Sequence, residues 1–235
     1  MADTSRRAFL GLFAAGTAGL GLAGCSLMGQ GGTGARGTDS GAVAKSPPAR
    51  GDRTLVTYFS HPYTDESVNS AEELDNSRTE VGGKVYGNVE YTATLIQRRT
   101  GGDLFRIETA NPLPESHEET LDITEAQQKE NARPKLKQLV KNIDDYDAVF
   151  IGYPIWWYDL PMAMYSFLEQ QDLKGKKVVL FSVHGGNELA DTVENITDGL
   201  TESTVVQNAF TISRDDMESV ESELNPWLDA LGYKS

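Results

Sequence analysis

Read for hydrophobic and polar positions, the chain opens on a stretch rich in small residues. From residue 53 it settles into a regular alternation of short apolar runs and amphipathic stretches. Residues 54–59 (Thr-Leu-Val-Thr-Tyr-Phe) are β-branched and aromatic and predict a strand. A polar stretch from His61 to Tyr86 follows. From Asn88, the spacing of Val89, Ala93 and Ile96 puts apolar side chains on one helical face, and Thr100-Gly101-Gly102 supplies a stop. Residues 103–107 predict a second strand, and 110–130 a polar connection containing Pro112 and Pro114. Pro134 suits a first helical turn, and Leu136, Leu139, Val140 and Ile143 continue it as a helical stripe. Ala148-Val149-Phe150-Ile151 is wholly apolar, as a buried parallel strand should be. Asp159 and Pro161 mark a helix start ahead of Met164, Phe167 and Leu168. Val178–Phe181 predicts another buried strand, and Asn187 to about Leu200 a helix. Residues 204–212 predict a last strand with room for a break. Met217, Val220, Leu224, Trp227, Leu228 and Leu231 mark a closing helix, which Pro226 is expected to kink.

Strands separated by helices imply an α/β fold, with a parallel sheet and helices on both faces. At this size the expected architecture is a doubly wound five-stranded sheet. Its ligand sits at the carboxyl ends of the central strands, where the winding reverses. That rule selects the loops after Phe59, Ile151 and Phe181.

Composition narrows the function classes. Hydrophobic residues make up 39% of the 235, enough for one packed core. The formal net charge of -14 disfavours nucleic acid, which needs clustered Lys and Arg. A single cysteine, Cys25, leaves no internal disulfide and no cysteine zinc site, and the three histidines are too scattered to pair as metal ligands.

The start of the chain reads as a targeting segment, residues 1–24. Arg6-Arg7 lead into a short apolar stretch from Phe9 to Leu22, too short for a comfortable membrane span. The paired arginines before Phe9-Leu10 resemble a twin-arginine export signal. Leu22-Ala23-Gly24-Cys25 resembles a lipobox, which implies a diacylglyceryl group on Cys25 and a place on the outer face of the cell membrane. The twin-arginine route carries folded proteins, so it already implies a cofactor loaded before export. Residues 25–52, rich in Gly, Ser, Thr, Ala and Pro, read as a tether to a domain spanning 53–235.

Each selected loop has chemistry to offer. Ser60-His61-Pro62-Tyr63-Thr64, with Gly87-Asn88-Val89-Glu90 opening a helix, supplies a hydroxyl and backbone N–H groups, the makings of an anion site that needs no lysine. Gly152-Tyr153-Pro154-Ile155-Trp156-Trp157-Tyr158 places large flat side chains just past a central strand, where they either stack on a flat ligand or cap the core. In His184-Gly185-Gly186-Asn187 the glycines allow close backbone approach or simply a sharp turn.

Together these runs resemble the long-loop flavodoxin-like proteins of bacteria, over nearly all of residues 53–232. The resemblance implies a flavodoxin-like fold with FMN as cofactor. Carried over by position, Ser60, Gly87, Asn88 and Val89 would hold the phosphate. Pro154, Ile155, Trp156 and Trp157 would lie along the isoalloxazine, with a tryptophan or Tyr158 stacking on it. His184, Gly185 and Gly186 would border its other edge. Two positions depart from the family pattern. Val89 stands where a threonine is common, which removes a hydroxyl donor. Tyr158 stands where many flavodoxins have a glycine near the flavin N5, which argues against a strong one-electron preference. The loop from Thr64 to Tyr86 matches least.

The leading expectation is an FMN-binding electron-transfer protein with an unassigned redox partner, its potential lowered by the acidic domain. An FMN-dependent quinone or NAD(P)H oxidoreductase is the enzymatic alternative. A flavin-free binding module on the same fold is the third. No catalytic nucleophile or acid–base constellation stands out.

Overall fold

The computed structural model describes residues 53–61, 77–114 and 116–234. The expected signal segment (1–24), Cys25, the tether (25–52) and residues 62–76 of the polar stretch lie outside the described residues. In chain order the elements are β1 (Thr54–Tyr58), β2 (Arg78–Val81), β3 (Lys84–Gly87), α1 (Asn88–Thr100), β4 (Asp103–Arg106), α2 (His117–Lys129), β5 (Ala148–Pro154), α3 (Met162–Gln170), β6 (Lys177–His184), α4 (Thr192–Gly199), β7 (Thr204–Ser213) and α5 (Val220–Ala230). Five strands form one sheet in the order β4-β1-β5-β6-β7, and β2 and β3 pair separately. Every pairing in the large sheet is parallel. The winding reverses between β1 and β5, so the crevice opens over their carboxyl ends.

Alternation along the strands divides the core between the two faces. Val56 and Tyr58 of β1, Phe150 of β5 and Val179, Phe181 and Val183 of β6 cluster with Ala93 and Ile96 of α1 and Leu224, Trp227 and Leu228 of α5. The residues between them, among them Leu55, Val149, Ile151, Tyr153 and Leu180, are equally buried and so face the opposite layer. That layer holds α3, with Met164, Phe167 and Leu168 buried, and α3 packs on α2 and α4. The sheet is therefore covered on both sides, as doubly wound topology requires. No helix among the described residues is long and apolar enough to cross a membrane.

Strands β1, β4, β5, β6 and β7, α1, α3 and the closing helix fall close to where the pattern placed them. The expected break in the last strand is a register shift. Val179 pairs with Val206 but Phe181 with Phe210, so β7 bulges between them. The Trp227 indole N–H donates to the Asn208 carbonyl at 2.9 Å and pins that bulge. Helix α5 runs through Pro226 to Ala230, and the non-helical residue is Asp216, earlier in a 3-10 turn.

Four stretches differ from the sequence reading. The polar connection 110–130 contains α2, whose Ser116 cap accepts from the Glu119 N–H at 3.4 Å. Its Leu121 and Ile123 are exposed, so no apolar stripe announced it. The stripe expected as a helix from Pro134 is instead laid along the end of β4. Ala110 N–H donates to the Lys135 carbonyl and Lys137 N–H to the Glu108 carbonyl, and only Ile143–Asp145 turn helically. Tertiary pairing overrode the helical spacing there. The helix expected from Asn187 begins at Thr192, after a turn in which Glu188 and Ala190 have positive φ. The polar stretch to Tyr86 also contains the β2–β3 hairpin, turning on Gly82 and Gly83, both with positive φ.

Gly152 sets the spacing between β5 and the aromatic layer. A Cβ there would lie 2.1 Å from the Phe181 ring. Gly152→Ala is expected to lower stability by about 1–3 kcal/mol through overpacking, measured by urea unfolding. Unchanged stability would contradict this account of the core.

Candidate functional site

The first wall of the crevice joins the end of β1 to the start of α1. Ser60 and Gly87 are distant in sequence yet in contact, because a Cβ on Gly87 would fall 2.0 Å from the Ser60 hydroxyl oxygen. A side chain at Gly87 would force the Ser60 hydroxyl to move. Helix α1 leaves its first N–H groups without intrahelical acceptors. The Glu90 carboxylate accepts from Gly87 N–H at 3.4 Å, and the Ser77 carbonyl accepts from Asn88 N–H at 2.8 Å. The N–H groups of Val89 and Glu90 have no intrahelical acceptor. Arg106 braces this corner from β4. It donates to the Ser60 and His61 carbonyls at 3.4 and 3.3 Å and pairs with Glu90 at 3.9 Å. Burial and the neighbouring Glu90 carboxylate push the Tyr58 hydroxyl up to about 12, so it stays a neutral donor below its helix.

The second wall is the turn after β5. Trp156 N–H donates to the Asp159 carbonyl at 3.0 Å, and Asp159 N–H returns the bond to Trp156 at 2.9 Å. Between them Trp157 and Tyr158 have φ of 53° and 64°. This is a two-residue hairpin turn with both central residues left-handed, a place usually given to Asn-Gly. Each such residue costs on the order of 1–3 kcal/mol, so neighbours must hold it. Asp159, buried below the turn, accepts from Leu160 N–H and the Tyr165 hydroxyl, both at 2.8 Å, and from the Asn195 amide at 3.2 Å. From α2, Gln128 donates to the Trp157 carbonyl at 3.1 Å, and the Trp157 indole N–H donates to the Thr124 hydroxyl at 3.1 Å. Trp156 packs edge-on against Phe59 with ring centres 5.6 Å apart. Tyr158 is 70% exposed and lines neither pocket described below.

The third wall is the loop after β6. Gly186 N–H donates to His184 Nδ1 at 2.9 Å, so the imidazole carries its proton on Nε2. Gly185 lies against Arg214 from the end of β7, since a Cβ there would meet the guanidinium carbon at 3.3 Å.

The walls border two adjoining pockets, both open to solvent. The smaller holds Ser60, Asn88, Val89, Pro154 and His184, and the larger Trp157, Thr120, Thr124 and Asn187. His61, Ser77, Ile155, Trp156, Gly185 and Arg214 line both and make them one trough. Of the residues singled out from the sequence, Gly87 contacts this lining through Ser60, and Gly186 touches it through His184. Sequence reasoning took in His61 only as part of the loop after Phe59, and missed Ser77, Thr120, Thr124 and Arg214. Buried His61 meets the Thr120 hydroxyl at 3.2 Å, and that hydroxyl donates to Pro114 at 3.0 Å. Only the trough's carboxyl-end rule could have pointed to Arg214. Thr120 and Thr124 depend on α2, which the pattern did not reveal.

Among the described residues, neither pocket is lined by any Asp or Glu, in a chain with 35 of them. The trough accordingly suits an anion and a flat ring.

Burial lowers the His184 pKa, against an opposing pull from Glu188 and Asp216. A lowered histidine contributes stability that is complete above its unfolded value of about 6.5 and is lost as pH falls through the folded value. Acidification below about pH 6.5 is therefore expected to cost the native protein more melting temperature than it costs His184→Gln. Identical pH profiles would contradict the assignment.

Comparison with known proteins agrees with this geometry. The profile of the family described as Flavodoxin matches residues 83–230, well over half of the chain. No curated protein sequence matches it. A solved structure from Bacteroides eggerthii DSM 20697, described only provisionally as a flavoprotein, is similar at 24% identity and a TM-score of 0.54, over 77% of this chain and 98% of its own. Another so described, from Bacteroides uniformis ATCC 8492, is 19% identical with a TM-score of 0.55, over 74% of this chain and 98% of its own. Both share the fold, and the family match over residues 83–230 shows that the chain belongs to the flavodoxin family.

Proposed function

We propose that the domain binds one FMN in this trough and passes electrons, as a lipid-anchored protein on the outer face of the cell membrane. The observation that carries the reading is the trough itself. At the switch point of an acidic α/β domain it combines a glycine cradle at a helix N-terminus, a braced aromatic wall and a lining free of carboxylates among the described residues. These features fit FMN at both ends.

When bound, FMN supplies reversible uptake of electrons at its isoalloxazine ring. The residues supply everything else. The Ser60 hydroxyl and the Val89 and Glu90 N–H groups would hold the phosphate, aided by the positive end of α1. Gly87 keeps the cradle open by letting Ser60 approach. Val89 offers no hydroxyl, so the backbone carries that contact. The Trp156-Trp157 turn, pinned by Asp159 below and α2 beside, would present a rigid flat wall to the ring. Preorganisation of this kind lowers the cost of binding. His184 and Gly185 would close the opposite edge, with the imidazole neutral.

Membrane attachment rests on the N-terminal motifs alone. Arg6-Arg7 before an apolar stretch and Leu22-Ala23-Gly24-Cys25 support export followed by acylation.

Purified after cytoplasmic expression, the full chain is expected to show flavin absorption and to release FMN on denaturation. Gly87→Val should weaken FMN binding at least about tenfold, because its side chain displaces Ser60. A colourless protein that takes up no added FMN would overturn the reading and favour a flavin-free binding module. Cys25→Ser should move the protein from the membrane fraction to the soluble one. Unchanged membrane retention would overturn the lipid anchor.

A further inference from the structure

One conspicuous group of the trough takes no part in the contacts to FMN described above, the guanidinium of Arg214. It follows β7 directly and lines both pockets of the trough. It lies against the Gly185 peptide, with its carbon and Nε 3.3 and 3.4 Å from where a Cβ would stand. Arg53, Arg99, Arg106 and Arg133 all pair with carboxylates. Among the described residues, no carboxylate pairs with Arg214. Asp215 and Asp216 come next in the chain, yet neither lines the trough. The crevice of a protein with net charge -14 thus holds an uncompensated cation at the edge bordered by the loop after β6.

We propose that Arg214 sets the redox poise of the bound flavin by holding the reduced, negatively charged ring more tightly than the oxidised, neutral one. This rests on the FMN reading. Two electrons and one proton taken from a reductant convert the neutral ring to a ring carrying one negative charge, with no other bond made or broken. A guanidinium always stays charged, and its planar donors suit a delocalised anion. It gains only when the ring is charged. A ligand shifts an equilibrium by its difference in affinity for the two states, so Arg214 raises the potential. The direction opposes the lowering expected from the acidity of the domain. Arg214 is itself exposed at the mouth of the trough, so it outweighs the dispersed acidic side chains by nearness to the ring rather than by burial.

The same chemistry could serve the phosphate of FMN, and one experiment separates the two. The full-length protein loaded with FMN is titrated with dithionite against a reference dye, and oxidised-state affinities for FMN and riboflavin are measured alongside. Arg214→Gln should lose at least tenfold in preference for reduced over oxidised flavin, which lowers the two-electron midpoint by about 30 mV. Arg214→Lys should keep most of the native value, and high salt should shrink the gap between native and Gln variants. The oxidised-state affinities of the Gln variant for FMN and riboflavin should stay near native. An unchanged midpoint with FMN bound overturns the proposal and leaves the FMN reading standing. A selective loss of FMN over riboflavin affinity, with the midpoint unchanged, overturns it in favour of a phosphate contact. Failure of the unaltered chain to bind flavin overturns both.

Discussion

A parallel sheet that reverses its winding between two neighbouring strands cannot close the space over their carboxyl ends. Here those strands are β1 and β5, and the connections leaving them diverge to opposite faces. Everything in the site answers to that gap. The end of β1 must meet α1 despite the long intervening segment, and the Ser60–Gly87 contact allows it. The end of β5 must turn back on itself, and the strained Trp157-Tyr158 turn achieves it only because Asp159, Gln128 and Thr124 hold it. Packing, strain and ligand geometry are one problem solved at one edge of the sheet.

Electrostatics follow the same boundary. The acidic side chains are spent on the surface and in pairs that brace the frame, such as Glu90 with Arg106 and Glu169 with Arg133. The trough keeps N–H groups, hydroxyls, indoles and one guanidinium. An acidic protein can therefore present an anion site without contradiction, because backbone dipoles act over a few ångströms and the surface charge is screened.

Much of the fold was legible in the sequence because buried parallel strands leave unambiguous runs such as Ala148–Ile151 and Val178–Phe181. The three loops were legible because topology rather than conservation selected them. What escaped had physical reasons. Helix α2 is stabilised by its cap and by Thr120 and Thr124, and carries too few buried apolar positions to show a period. The run Leu136 to Ile143 has helical spacing, yet backbone bonds to β4's continuation hold it extended at first, and Val140 N–H is taken by Gln171 at 2.9 Å. Arg214 looked like one charge among many, and only the three-dimensional lining distinguishes it.

The central claim is that the trough recognises a phosphorylated flat ring. The most direct test is fluorescence titration of the flavin-free protein with FMN and with riboflavin under the same conditions. Two charge-assisted hydrogen bonds to the phosphate, each about 1.5–3 kcal/mol, should favour FMN by at least about 100-fold. Equal affinity for the two, or none for either, would contradict the account.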